Sequence, residues 1–492
     1  MAFGWTLFNG DGKTPAVGQA VAPDERLTWG RTVGIGAQHV VAMFGATFVF
    51  PLVMGLDANL AILMSGVATI LFLLVVQGRV PSYLGTSASF VGAVAAIRAG
   101  GGDNGSVTGA ILVSGVVLGL VGLLVHFVGA GVIHKILPPA VTGAVVMLIG
   151  FNLAPVVAGV YWPQDQWVAF LTMVFVIVAS LLLRGFWSRV SIFLGLVFGY
   201  ALSFVLDKTA GQITSFSAAE GKVTTHFRTS FDALGQAEWF GLPSLHAPSF
   251  SGGFVLLALP AVIALIAENA GHVKAVSEMT GADLDPYLGR AIGADGLATV
   301  ISSAVGGSPT TTYAENIGVM AATRVYSTAA YYVAAIVAIV LGFCPKFGAV
   351  ISGTPGGVLG GITVVLYGMI GLLGAKIWKE NQVDFANPIN LVPLAAGIIL
   401  AIGNVSLTFS DSFSLSGIAL GTIVAVFGWH VAHAVAPREM RDALEQEKVA
   451  TAAESRQAEY AGGTGPAVGR TGAHGDRKPV RPPARQGRRR RR

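Results

Sequence analysis

The stretch SPTTTYAENIGVMAATRVYS, Ser308 to Ser327, decides the fold when read beside FVLLALPAVIALIAENAGHVKAV, Phe254 to Val276. Each carries one acidic residue, Glu315 and Glu268, inside a segment otherwise built to lie in lipid. A charged side chain at membrane depth costs about 3 kcal/mol even on lenient insertion scales, so it normally faces a protein-lined site. The first stretch opens with proline and a Ser/Thr/Tyr run, then gives a short helix of small residues closed by Arg324. PSYLGTSASFVGAVAAIR, Pro81 to Arg98, repeats the pattern earlier in the chain. Each reads as an extended segment entering the membrane, followed by a half-length helix. Non-helical backbone at that depth is tolerated only where protein or a cavity satisfies its polar groups. Interrupted spans at matching places in two halves point to a transporter's midplane binding site, with half-helix N-termini aiming N–H groups at the substrate.

Working outward, the chain has 492 residues, 53% hydrophobic and only 12% charged, against about 25% charged in a soluble domain. Apolar stretches recur from Thr32 to Val435, and a span needs about 20 such residues. Fourteen spans are expected, near 34–54, 58–78, 84–98, 107–129, 136–158, 166–183, 188–206, 252–273, 290–305, 313–324, 328–344, 356–374, 389–405 and 415–436. The polar segment 207–250 divides them seven and seven, and an odd count per half makes the repeats inverted. The fold class is therefore an all-α polytopic membrane protein whose third and tenth spans are half-helices.

Residues 1–31 lack the pattern of a signal peptide, so the first span is expected to insert by itself. Cys344 is the one cysteine, which excludes an internal disulfide or a multi-cysteine metal site; no metal and no cofactor is expected. The net charge of +5 belongs to the end of the chain, because residues 1–436 hold 17 basic against 19 acidic residues. Residues 437–492, ending in five arginines, read as a disordered tail that touches anionic lipid rather than nucleic acid. With both termini cytoplasmic, 12 basic residues near the spans fall inside and 5 outside, as the positive-inside rule requires. The expected location is the plasma or inner membrane.

Glu268 and His272 lie four apart and share a helix face. Histidine on an apolar face suits either packing or orienting a carboxylate. Glu315 sits at the positive end of the half-helix, where it serves as a cap or as a ligand. His39 in the first span takes the place in half one that Glu268 and His272 take in half two. Asp295 in the ninth span is a helix-packing hydrogen bonder or part of a proton path. Two carboxyls, a histidine and half-helix ends suit a small, flat, neutral molecule rich in N–H and C=O groups. They would repel an inorganic anion.

The run Glu315 to Arg324, ENIGVMAATR, fits the signature of the nucleobase-ascorbate transporters, also called nucleobase-cation symporters: Glu, Gln or Pro, Asn, any residue, Gly, four residues, Thr, then Arg or Lys. QHVVAMFGAT, PSYLGTS and AENAGH further resemble the bacterial uracil and pyrimidine permeases of that family, and the likeness covers about residues 30–436. The resemblance implies two inverted seven-span repeats divided between a core domain (32–130 and 251–345) and a gate domain (131–206 and 346–436). An N-terminal arm (1–31), an external loop (207–250) and the tail (437–492) complete the chain. It also implies proton-coupled import of a nucleobase by alternating access, often as a homodimer, and excludes an enzyme. Carried over by position, Glu268 and Glu315 bond the base, His272 supports them, and Tyr313 and Ala314 meet it by side chain or backbone. Tyr367 approaches from the gate side, and His39 matches the family's first-span histidine. Ala88 stands where uracil permeases have a phenylalanine, so its backbone contact is expected to survive while Phe90 substitutes for the ring. Glutamate at 315 favours uracil, whereas Asp295 and Ala88 leave a xanthine or purine substrate open.

An anion transporter of the same architecture would want a basic or neutral site, which the two glutamates oppose. No HExxH or GxSxG occurs, and NGDGKTP near the N-terminus lacks the first glycine of a phosphate-binding loop.

Overall fold

A computed structural model describes residues 4–16, 18–184, 186–217, 222–410 and 413–444. The helices that matter to the site are α1 (Trp29–Met54), α2 (Ala58–Val75), α3 (Val91–Ala99), α4 (Asn104–Val128), α5 (Pro139–Phe151), α6 (Gln166–Leu182) and α7 (Ser191–Thr209). After the external loop come α8 (Pro260–Thr280), α9 (Asp285–Ala304), α10 (Ala314–Thr323), α11 (Thr328–Gly342), α12 (Gly356–Glu380), α13 (Pro388–Ile402) and α14 (Gly417–Val435). Strand β1 (Leu84–Thr86) precedes α3, and β2 (Thr310–Thr312) precedes α10.

Starts and stops follow local chemistry. Asp57, Asp103 and Asp165 cap α2, α4 and α6 by accepting first-turn amides, each satisfying donors that a helix start leaves orphaned. The Ser106 amide and hydroxyl hold the Asp103 carboxyl below its ordinary range. Gly55 and Gly281 end α1 and α8 in the left-handed conformation, which glycine adopts without steric cost.

Among the described residues, eight helices are long and apolar enough to cross a membrane, or nine if the pair Thr328–Gly342 and Pro345–Ser352, bent by 84°, counts as one. The sequence expectation was fourteen. The shortfall has physical causes: α6 and α13 are short, α3 and α10 are half-length, and α9 carries Asp285, Arg290 and Asp295. Helices enclosed by protein need not be uniformly apolar.

Two packing groups emerge. In one, α4 packs on α9, α2 on α11, and α1 on α11, with α8 against α4. In the other, α5 packs on α12, α6 on α7 and α12, and α13 on α14 and α5. Close crossings depend on glycine. A methyl on Gly122 would lie 2.2 Å from the Gly293 nitrogen, one on Gly289 2.3 Å from the His126 nitrogen, and one on Gly150 2.2 Å from the Gly371 nitrogen. Small residues permit such backbone-to-backbone packing in lipid, where dispersion and interhelical hydrogen bonds hold helices together.

The N-terminal arm is fastened to the turn after α10: Val21 donates to the Arg324 carbonyl and accepts from Tyr326, at 2.9 Å each. The external loop is pinned as well. Arg228 pairs with Asp165 at 2.7 Å and Asp207 at 3.2 Å, tying the hairpin Ile213–Ser217 and Lys222–His226 to α6 and α7. Of the tail expected from 437, residues 438–444 are helical, with Leu444 buried and Asn387 donating to the Met440 carbonyl at 2.9 Å. Its remainder, 445–492 with the five arginines, lies outside the described residues.

Candidate functional site

The two extended segments meet. β1 and β2 pair antiparallel, Leu84 opposite Thr312, Gly85 opposite Thr311 and Thr86 opposite Thr310, and two flanking amide bonds, Ser87 to Pro309 and Tyr313 to Tyr83, extend the ladder. Backbone polar groups within the bundle are thereby satisfied without a helix. The pairing sets the starts of α3 and α10 side by side. Tyr313 closes the arrangement: its hydroxyl donates to the Thr86 carbonyl at 2.9 Å and accepts from Thr47 at 3.3 Å. Its ring lies on Gly85, where a methyl would sit 2.5 Å from two ring carbons.

Alternation along β2 divides its hydroxyls between two faces. Thr311 donates to Glu268 Oε2 at 3.1 Å. Thr312 lies 2.7 Å from His272 Nδ1 and 3.5 Å from Asn269 Oδ1. Asn269 donates to Asp295 Oδ2 at 2.7 Å, and Thr310 donates to Asp295 Oδ1 at 2.9 Å. A connected chain of polar groups thus runs from His272 behind the strand to Asp295, which is fully buried.

A cavity of about 470 Å³ opens in front of these elements. Glu268, His272, Tyr313, Ala314, Glu315 and Ala88 line it. Both glutamates are half-buried, facing this space rather than lipid. Phe50, Val146, Ile149, Ile370 and Leu373 form its apolar wall, and it continues to Glu278, Lys376 and Glu380 near the C-terminal ends of α8 and α12. Access is therefore from that side.

The remaining residues singled out in the sequence sit elsewhere. Asp295 is screened from the cavity by Thr310 and Asn269. His39 is buried beneath α10, where Asn316 donates to its Nδ1 and to its carbonyl, both at 3.1 Å. Phe90 is wholly buried in the core and does not line the cavity; the room beside Ala88 stays open. Tyr367 lines a second cavity of about 450 Å³ with Phe151, Trp162 and Thr363, and its ring stacks on Phe50 at 5.9 Å. Sequence reading missed Asn269, Thr311, Thr312, Asn316 and Phe50. The hydroxyls stood in the quoted Thr run, but three identical residues carry no sign of which face each takes; Phe50 had no signal.

Chemically, the cavity offers carboxyl acceptors on one wall, half-helix amide donors on another and apolar surface around them. That suits a planar molecule with N–H and C=O edges. A family model described as a permease family, Xan_ur_permease, matches residues 30–409. The putative pyrimidine permease RutG of Escherichia coli K12 is 44% identical over 436 residues, 87% of this chain and 95% of the relative. The uracil permease of Bacillus subtilis is 33% identical over 438 residues, 85% of this chain and 96% of the relative. Among solved structures, the transmembrane domain of the cyanobacterial bicarbonate transporter BicA aligns with TM-score 0.54 at 14% identity, covering 80% and 96% of the two chains. Murine Slc26a9, an anion transporter, aligns with TM-score 0.61 at 12% identity, covering 84% and 70%. At such low identity these two likenesses speak for the fold alone.

Proposed function

The chain belongs to this xanthine/uracil permease family, a family of multi-pass membrane transporters and not of enzymes, and from that premise we propose that it imports a nucleobase, uracil or a close pyrimidine, by proton symport. The observation that carries the reading is the placement of Glu268, Glu315 and the starts of α3 and α10 around one cavity. In this reading the carboxyls accept from the base's N–H groups, while the amides of Ala88 and Ala314 donate to its carbonyl oxygens. Tyr313 holds the two half-helices in register. The relatives named as uracil and pyrimidine permeases support that choice of substrate.

Proton coupling is assigned to Glu268, with His272, Thr312, Asn269 and Asp295 as the supporting polar chain. His39 acts by holding Asn316, next to Glu315. The core domain is the group α1–α4 and α8–α11, and the gate domain α5–α7 and α12–α14. Helix packing supports both this division and an inverted repeat, because adding seven to each helix number maps contacts onto contacts. α2 with α11 becomes α9 with α4, α1 with α11 becomes α8 with α4, and α6 with α7 becomes α13 with α14. β1 packs on α1 and α2 as β2 packs on α8 and α9. Fourteen spans with both termini cytoplasmic, in the plasma or inner membrane, follow from the repeat and the charge bias. The core group carries the base past the gate group in an elevator-like or rocking step.

The test is uptake of radiolabelled uracil into proteoliposomes with and without an inward proton gradient, competed by thymine, xanthine or sulfate. Gradient-driven accumulation blocked by thymine but not by sulfate is the expected result. Absence of uracil uptake while xanthine or an anion moves would overturn the assignment.

A further inference from the structure

The cavity that holds the glutamates runs toward the C-terminal ends of α8 and α12, and Phe50, Val146 and Ile149 form apolar wall deeper within it. Phe50 of α1, 2% exposed, stacks on Tyr367 of α12 with ring planes 13° apart. Phe50 faces the cavity with Glu268, and Tyr367 faces the second cavity, so the two rings form the septum between them. The buried Tyr367 hydroxyl has no hydrogen-bond partner among the described residues. One residue earlier on α1, Val49 packs with Tyr161 and Leu359, flanked by Leu52, Val53 and Val156. Among the described residues no hydrogen bond joins α1 to α5 or α12. The polar bonds of α1 run instead to its own group, from Thr47 to Tyr313 and from Asn316 to His39.

We propose that Phe50 is the gating residue of the substrate pathway, its ring closing the site against Tyr367 on the side away from the open cavity and sliding off when the site turns to that side. This rests on the nucleobase reading for the identity of the passenger, and on the geometry alone for the gate. A seal of stacked rings and aliphatic side chains suits the task. It excludes water from the site, its attraction has little directionality, and its separation leaves no hydrogen bond broken. Tyr367 then approaches the base only when the septum has parted, which accounts for its place outside the glutamate cavity.

The test uses a background in which the one cysteine is replaced, Cys344→Ser, with Ala321→Cys in the cavity wall as a reporter. An impermeant thiol reagent is added at the face where α8 and α12 end, or at the opposite face, and the ratio of labelling rates is read alongside binding of radiolabelled uracil. Phe50→Ala is expected to move that ratio toward the opposite face by about tenfold, the size of shift a lost aromatic pair carries. Phe50→Trp keeps a ring and leaves the ratio near that of the parent. Tyr367→Leu, which removes the stack from the other helix, gives the same shift and covers the case in which Phe50→Ala fails to fold. A ratio unmoved in the folded variants that lack the stack overturns the gate, as does loss of uracil binding in Phe50→Ala with the ratio unmoved, which would make the ring part of the pocket only. A ratio that shifts in a protein that never binds uracil upholds the gate and removes the nucleobase.

Discussion

Glu268→Gln tests whether the site works by charge or by shape. One carboxylate oxygen, Oε2, already accepts from Thr311 at 3.1 Å, leaving the other to face the cavity. Glutamine has the same shape but only one acceptor atom in place of two, and the Thr311 hydroxyl can donate to the amide oxygen or accept from the amide nitrogen. The cavity is then offered either a donor where the base brings an N–H donor or a neutral oxygen in place of a charged one. A hydrogen bond to a charged group contributes about 1.5–3 kcal/mol, so its loss weakens uracil binding by about 10- to 150-fold. Proton-driven accumulation is abolished, since the amide takes up no proton. Purified protein in detergent gives the binding constant by scintillation proximity, proteoliposomes give accumulation, and size-exclusion profiles confirm folding. A variant that binds within about threefold of the parent, under 1 kcal/mol, and still accumulates uracil against its gradient would remove Glu268 from both roles.

Three further substitutions probe the supports. Gly85→Ala puts a methyl 2.5 Å from the Tyr313 ring, and overpacking of this kind costs about 1–3 kcal/mol; a lower thermal midpoint with lost uptake is expected, and an unchanged midpoint would refute the contact. Thr312→Val keeps the volume but breaks the link between His272 and Asn269, about 1 kcal/mol per net hydrogen bond. Proton-driven accumulation should fall more than uracil exchange, and equal effects on both would count against a proton path through Thr312. Arg228→Ala leaves Asp165 and Asp207 buried without their cation, and breaking a buried pair costs about 3–5 kcal/mol. Asp207 is the worse placed, at the negative end of α7, so thermal stability should drop with uracil affinity kept; full stability would show the pair to be incidental.

The two glutamates were legible in the sequence because a bilayer makes them so expensive that chance placement is a poor account. The broken helices were legible for a related reason: a proline followed by Ser, Thr and Tyr cannot continue a lipid-facing helix. What lies behind them was not. Strands of three residues each are too short for periodicity to register, and their partner is more than 200 positions away, so nothing local tells that Thr311 reaches Glu268 while Thr310 and Thr312 turn to α9 and α8. Phe90 was expected in the cavity from its distance along the chain to Ala88, but the 3-10 turn Ala88–Phe90 points Phe90 into the core. The ninth span expected at 290–305 lies within α9, whose Asp295 is tolerated because Asn269 and Thr310 satisfy it.

The distribution of hydrogen bonds says which part of the molecule holds the site. Glu268 is tied to β2, Tyr313 to β1 and α1, and Asn316 to His39, all within the group that contains α1, α8 and the half-helices. Toward α5 and α12 the same cavity shows Val146, Ile149, Ile370 and Leu373, which offer contact and no fixed partner. Polar bonds have short reach and strict geometry, so groups that share them move together. Apolar contacts are non-directional and tolerate displacement. A ligand held by the carboxyls and half-helix amides is consequently held by one group alone. Exclusion of water from the site then falls to the large side chains where the two groups meet, among which the Phe50 ring of α1 lies against Tyr367 of α12.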